Sequence, residues 1–494
     1  MSNKKAIIIG SGVAGLATAI RLAVQGFAVT VYEKNNYPGG KLSAFEKGGF
    51  RFDAGPSLFT QPKNIEALFE LAGEPVENYF NYKPVDIACK YFYANGKIVE
   101  AFTDAEKFGK ELEEKLGESA TTIKKYLARS ENNYNNIGTI FLNHSLHKRK
   151  TWFNKRIFKA LGATKYSYLF KTLHRYNTAK FKSAEAVQLF NRYATYNGSN
   201  PYKAPGMLSL IPHLEYNEGI FYPRGGMVSI TDALFALALK KGVQFHFNAP
   251  VQKIIHHERR VRGVVVNDEN VLSDIVVSNM DVYFTYRQLI NNINKAKDVL
   301  KQERSSSALV FYWGIKKGFE QLQLHNIFFS ENYKAEFDCL FKTKTLYHDP
   351  TVYINITSKM ETGHAPAGKE NWFVMINAPA NVGQDWEVIK QEARKKIIDK
   401  LNRILETDIE ALIEAEEILD PGGIQEKTAS YMGSLYGTSS NSKLAAFLRH
   451  PNFTGAVKGL FFCGGSVHPG GGIPLCLKSA QIVSDLVKTE KRAH

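Results

Sequence analysis

At 494 residues the chain is longer than one hydrophobic core usually spans, which excludes a small binding module and implies about two or three structural units. Its 44% apolar and 12% aromatic residues mark a folded globular protein rather than a disordered one, and Lys and Arg exceed Asp and Glu by 63 to 48. Cys89, Cys339, Cys463 and Cys476 form no CxxC pair, which argues against a zinc site or disulfide framework and fits a reducing cytoplasm.

Lys4 and Lys5 precede an apolar run from Ala6 to Ile20 that imitates a targeting signal. Gly10, Gly12 and Gly15 fall where a strand would turn into a helix, however, and Arg21 ends the run short of the roughly 20 residues of a span. KAIIIGSGVAG therefore reads as a buried strand, a GxGxxG turn and the start of a helix. The first glycine permits the tight turn, the second lets backbone approach a pyrophosphate, and the third allows helix to pack on strand. Phosphates would then lie at a helix N-terminus, where free N–H groups favour negative charge. A second strand, AVTVYEK, ends in Glu33, at the spacing of an acid that binds ribose hydroxyls. NAD and FAD share this half. Gly39, Gly40, Lys41 and Leu42, then Asp53, Gly55, Pro56 and Ser57, supply a second glycine turn that suits the far half of a longer cofactor; surface β-turns are the plainer reading.

Further along, Ser145 to Ala184 carries eleven Lys or Arg and no acid, interleaved with aromatics such as Trp152, Phe158 and Tyr168. Composition alone leaves a membrane-facing surface, a solvated basic face and a nucleic-acid surface open, although no nucleic-acid module is recognised. GIFYPRGGM leads into a helix and the strand of APVQKI, and VRGVVVNDENVLSDIVVSNMD reads as a hairpin followed by a core strand ending near Asn279. SSSALVFYWGIKKGF, TVYINITS and NWFVMINAP have strand character and predict a mixed or antiparallel sheet. At the C-terminus, strand GLFFCG and helix LCLKSAQIVSDLV bracket Gly470, Gly471 and Gly472, a backbone platform on which a flat ring can lie.

The GGKLS element resembles the second flavin-contact element of the FAD-dependent amine oxidase and carotenoid desaturase superfamily, with Lys41 in place of the usual Arg, which keeps the charge but loses the planar fork. The sequence GLFFCGGSVHPGGGIPLCLKSAQIVSDLV resembles the terminal signature of bacterial carotenoid desaturases. GGKLS with FRFDAGPSLFTQP, GSLYGTSSNSKLAAFLRHPNF and CGGSVHPGGGIPLCL resemble the members that desaturate the 3,4 bond of 1-hydroxylated carotenoids. A phytoene-type multistep desaturase is the alternative. Isomerases and saturases share the scaffold, while a flavin amine oxidase and a noncatalytic carotenoid carrier represent other functions.

The resemblance implies an α/β (α+β overall) fold in three parts. A Rossmann-like FAD-binding domain with a parallel sheet would comprise 1–76, 217–285 and 455–494; a mixed or antiparallel-sheet substrate domain, 77–102 and 286–454; and a helical membrane-associating region, 103–216. FAD contacts are implied at Gly10, Gly12, Val13, Ala14, Gly15, Glu33, Lys34, Gly40, Lys41, Leu42, Gly55, Pro56, Ser57, Leu58, Val251, Gly464, Gly465, Gly472, Ile473 and Pro474. Arg224 and His468 are expected to flank the flavin, and His325 lies where the family often places a histidine; none is assigned as a catalytic base. The implied partners are a hydrophobic carotenoid, an electron acceptor such as a quinone or dioxygen, and the inner face of the cytoplasmic membrane, met peripherally from the cytoplasm. Nucleic acid is not expected.

Overall fold

The computed structural model describes residues 4–148, 170–442 and 449–492. Strand Lys5–Ile9 is buried on both faces from Ala6 onward and forms the middle of a five-stranded sheet. Ala28–Tyr32 and Ile275–Ser278 flank it, with Gln244–His246 and Leu460–Phe462 at the edges, and every pairing is parallel. Helices Val13–Val24, Val228–Lys240 and Ile473–Arg492 share one hydrophobic core with this sheet, as expected for apolar strands covered by helices. Strands Val251–His257, Arg260–Val266 and Glu269–Leu272 form the expected antiparallel hairpin and its extension beside the sheet.

A seven-stranded sheet runs in the order 413–419, 307–315, 370–378, 352–356, 325–328, 87–92, 98–102. It is antiparallel except where His325–Phe328 lies parallel to Ile87–Phe92. Its two faces separate by the two-residue period of a strand. Leu309, Phe311 and Trp313, with Trp372, Val374 and Ile376, pack beneath helix Trp386–Leu405. Their alternates Ala308, Val310 and Tyr312, with Phe373 and Met375, turn to a large internal cavity. Both faces are therefore covered, which is why SALVFYWGI is a continuous apolar run in the sequence.

Helices Ala105–Leu116, Ala120–Asn133, Leu173–Thr178 and Ala184–Asn191 close the remaining side around an aromatic-rich core. The Asp104 carboxylate caps the first of these by accepting from the Glu106 and Lys107 N–H groups at 2.9 and 2.8 Å. Most of the basic, aromatic stretch singled out in the sequence, residues 149–169, lies outside the described residues. No described helix is long and apolar enough to cross a membrane.

Candidate functional site

A single cavity of about 1530 Å³ runs between the parallel sheet, the seven-stranded sheet and the helices. Its first end is built by the glycine turn after Lys5–Ile9. Gly10 takes φ +89°, and Gly12, Val13 and Ala14 present the first turn of helix Val13–Val24 to the cavity. Gly15 does not reach the cavity wall: a Cβ there would stand 2.1 Å from the Gly10 carbonyl oxygen, so its glycine serves helix-on-strand packing. Its N–H donates to Asn279 Oδ1 at 3.2 Å. Glu33 is 5% exposed; its Oε2 accepts from the Ser11 N–H and hydroxyl at 2.8 and 2.9 Å, and Oε1 accepts from the Asn35 N–H at 2.9 Å. Lys34 and Val251 line this same end, and the Lys34 ammonium donates to the Glu426 carbonyl, joining the strand's end to helix Pro421–Thr428.

In the middle of the cavity the wall is made by Gly40, Lys41 and Leu42, by Gly55, Pro56, Ser57 and Leu58, and by Gly464, Gly465, Gly472, Ile473 and Pro474. A Cβ on Gly472, whose φ is +103°, would meet nothing within 4 Å, so the backbone alone borders the space there. Lys41 Nζ donates to the Leu435 carbonyl at 3.0 Å, and desolvation pushes its pKa down to about 8, partly opposed by Asp281. Arg449 is 2% exposed and also lines the cavity. Its Nη1 donates to the Tyr436 carbonyl at 2.7 Å, and burial lowers its pKa to about 10.

The seven-stranded sheet contributes His325, whose Nδ1 lies 2.8 Å from the Tyr353 hydroxyl and 3.2 Å from Asn355 Nδ2. Tyr353 in turn lies 2.8 Å from Ser57 Oγ. Burial first, then the Arg192 charge, push the His325 imidazole down to about 3, so it is neutral at physiological pH and a weak base. His468 lines the cavity, with Nε2 3.0 Å from the His144 carbonyl oxygen and a pKa pushed down to about 4, chiefly by burial. Arg224 is exposed and outside the cavity wall, contrary to the sequence expectation, because the turn at Gly225 and Gly226 carries it to the surface. Asp53 is likewise absent from the wall: its carboxylate accepts from the Met227 and Val228 N–H groups at 3.1 and 3.2 Å and starts helix Val228–Lys240.

Several residues in the wall carried no signal in the sequence. Asn279 bridges helix Val13–Val24 and the segment after strand Leu460–Phe462, accepting from the Gly15 N–H and donating from Nδ2 to the Cys463 carbonyl at 3.3 Å. Asp281 forms a buried ion pair with Arg304 at 2.5 Å. Arg192 and Glu215 face the cavity from the helical side, paired at 3.0 Å. Asn279 and Asp281 could have been sought at the end of the core strand IVVSNMD, as polar residues leaving an apolar run. Arg192 and Glu215 stand in no recognisable motif.

This donor set fits a bound dinucleotide. A helix N-terminus open to the cavity suits a pyrophosphate, and an anchored buried carboxylate suits ribose hydroxyls. The Gly472 border admits a flat ring against the backbone. Two helix starts, Val13 and Ile473, open onto one continuous space, as a cofactor with a second, ring-bearing half requires.

Comparison with known proteins agrees with the geometry. A family model described as flavin containing amine oxidoreductase matches residues 13–303. The chain belongs to this family of FAD-dependent oxidoreductases, within its carotenoid desaturase branch. It is 53% identical over 98% of its length to a 1-hydroxycarotenoid 3,4-desaturase from Flavobacterium sp. (strain P99-3), covering 99% of that protein. It is 32% identical to a 4,4'-diapolycopene oxygenase from Methylomonas sp, over 98% of each chain. The fold is that of a cyclohexylamine oxidase from Brevibacterium oxydans, with a TM-score of 0.64 at 16% identity over 99% of this chain and 100% of the other.

Proposed function

We propose that the protein is an FAD-dependent carotenoid desaturase that introduces a double bond at the 3,4 position of a 1-hydroxylated carotenoid. What carries the reading is the 53% identity, sustained over 98% of the chain, to a relative of that activity. The cavity supports it: at about 1530 Å³ it exceeds the ~300–1000 Å³ of an ordinary ligand pocket, leaving space for a long ligand beside a dinucleotide. In this reading residues 1–76, 217–285 and 455–494 form the FAD-binding domain. The first-turn amides of Gly12, Val13 and Ala14 hold the pyrophosphate, Glu33 the ribose, and Val251 the adenine. The ring lies among Gly40–Leu42, Gly55–Leu58 and Gly464–Pro474.

Bound FAD supplies an acceptor for hydride from an unactivated C–H bond beside a polyene. The chain's part is to hold that bond in line and to exclude water. Val310, Phe373 and Met375 on one wall and Leu208, Ile211 and Leu214 on the other give an apolar channel to do so. Loss of hydride to the flavin would leave an allylic cation whose conjugation spreads the charge, and the adjacent proton, made acidic by that charge, would pass to the reduced flavin or to water, so that two hydrogens leave as hydride and proton. A neutral, weakly basic His325 is a poor acceptor for that proton. The reading also places the protein at the inner face of the cytoplasmic membrane from the cytoplasmic side, with the basic, aromatic stretch of Ser145–Ala184 as the contact and a quinone or dioxygen as electron acceptor.

Product analysis tests the assignment. Purified enzyme incubated in liposomes with a 1-hydroxylated carotenoid, and separately with phytoene, should convert the first to its 3,4-didehydro product and leave the second untouched. Conversion of phytoene alone would replace the reading with that of a multistep phytoene-type desaturase.

A further inference from the structure

One wall of the cavity is polar and fully interior, and the flavin contacts do not use it. Arg192 is 9% exposed and Glu215 1%; Arg192 Nη2 donates to Glu215 Oε1 and Oε2 at 3.2 and 3.0 Å. The Tyr193 hydroxyl donates to the same carboxylate. These bonds leave capacity over. Arg192 Nε and the Tyr196 hydroxyl are buried and have no hydrogen-bond partner among the described residues. Tyr196 lines the cavity, with its ring centroid 5.4 Å from the Arg192 guanidinium carbon. An interior donor left unpaired is destabilising, so such groups at a cavity wall are ready to take a polar ligand atom.

The position of this wall identifies the atom. Arg192, Glu215, Tyr196 and Tyr353 line the same cavity as Ser57 of the flavin-side loop, and the Tyr353 hydroxyl lies 2.8 Å from Ser57 Oγ. Leu58, Tyr196 and Tyr353 also pack on one hydrophobic core. In a 1-hydroxylated carotenoid only two bonds separate the carbon bearing the hydroxyl from the nearer carbon of the 3,4 bond. Once that bond faces the loop Gly55–Leu58, the hydroxyl is within a side chain's length of the loop. A polar wall beside the loop matches this requirement, whereas a subsite at the far end of the cavity would not.

We propose that Arg192, Glu215, Tyr196 and Tyr353 form a subsite for the hydroxyl of the 1-hydroxy end group, and that binding this hydroxyl sets which carbon–carbon bond meets the flavin. The proposal rests on the desaturase reading above and deepens it. The hydroxyl can donate to the Glu215 carboxylate and accept from Tyr196, satisfying the Tyr196 hydroxyl now unpaired. A substrate with hydrogen at C1 leaves that group unsatisfied, and sites built to bind a hydroxyl reject such analogues strongly. Specificity for the hydroxylated chain thus comes from a wall that is costly to leave empty of a polar partner, in a cavity otherwise well suited to any polyene.

The test uses FAD-loaded full-length enzyme in liposomes, supplied with a 1-hydroxylated carotenoid or its 1-deoxy analogue of equal length. The readout is the ratio of initial rates at low substrate for wild type, Tyr196→Phe and Tyr353→Phe, with bound flavin measured by absorbance in each. Wild type should favour the hydroxylated chain by about 100-fold or more, and each variant should lower that ratio by about tenfold or more. If wild type desaturates the hydroxylated chain but both flavin-loaded variants keep the wild-type ratio, the subsite is refuted and the desaturase reading stands. If wild type holds FAD and oxidises neither substrate, the desaturase reading fails and the subsite falls with it. Tyr353→Phe keeps the test decisive if Tyr196→Phe does not fold.

Discussion

Replacing Glu33 by Gln probes the nucleotide end at its most constrained point. The carboxylate accepts from three donors, with Ser11 N–H and hydroxyl on Oε2 and Asn35 N–H on Oε1, all between 2.8 and 2.9 Å. Gln offers one acceptor oxygen where Glu offers two. Whichever way its amide turns, its NH2 faces the N–H of either buried Ser11 or half-buried Asn35, and a backbone donor loses its partner. That loss costs about 1–3 kcal/mol, and the apoprotein should be less stable by this amount in denaturant titrations. FAD binding should weaken further, because the oxygen expected to take a ribose hydroxyl becomes neutral or is replaced by a donor. A hydrogen bond to a charged acceptor contributes about 1.5–3 kcal/mol, which corresponds to a roughly 10- to 100-fold higher Kd. Titrating apoprotein with FAD and following quenching of flavin fluorescence measures it. A Kd within about twofold of wild type would refute the placement of the ribose at Glu33. An unchanged denaturation midpoint would refute the buried hydrogen bonds that hold the loop.

Gly471→Ala should destabilise the protein by about 1–3 kcal/mol, because the new Cβ would stand 2.8 Å from Tyr436 Cδ1 and 2.9 Å from its Cα; an unchanged melting temperature would show that Tyr436 yields freely. Lys41, with its pKa lowered to about 8 by desolvation, keeps its proton less readily in the folded than in the unfolded chain. Its share of stability therefore rises as pH goes from 8 toward 10, and Lys41→Met should remove part of that rise when denaturation midpoints at pH 7.5 and 9.5 are compared, a change of up to ~1.4 kcal/mol per pH unit. His325, pushed down to about 3, is neutral when folded but takes a proton near pH 6.5 when unfolded. It costs stability as pH falls from 6.5 toward 3, so His325→Gln should flatten the acid limb of the stability profile, and an equally steep limb would contradict its burial as a neutral imidazole.

The legible parts of the fold are those whose chemistry is local. KAIII and AVTVY show a buried parallel strand pair because both faces are covered, and the glycines after KAIII show a turn followed by a close helix–strand approach, since a Cβ at Gly15 would collide with the Gly10 carbonyl oxygen. The strands 307–315, 352–356 and 370–378 are readable for the same reason of double coverage. Strand Ile413–Leu419 is not, because it is an edge strand rich in acids. Its Glu416 accepts from Trp313 Nε1 at 2.7 Å and pairs with Arg394 at 2.8 Å, partners far away in sequence. The same holds within the site. Glycine turns and the strand-end acid Glu33 announce themselves by spacing, whereas Arg192, Glu215 and Tyr353 come from separate helices and strands and line one cavity only once the seven-stranded sheet closes over the helices. Asn279 needed its neighbours too, since only in the fold do Gly15 and Cys463 flank it. Arg224 misled because proximity in sequence to a glycine turn says nothing about which way the turn exits.

The most direct test of hydride transfer from a polyene is an anaerobic single turnover. FAD-loaded enzyme is mixed in liposomes with one equivalent of a 1-hydroxylated carotenoid, and the flavin and polyene bands are followed together. Bleaching of the flavin band in step with a red shift of the polyene, at one product per flavin, is the predicted result. A flavin that remains oxidised while the polyene stays unchanged, with FAD bound and the carotenoid delivered, would contradict it.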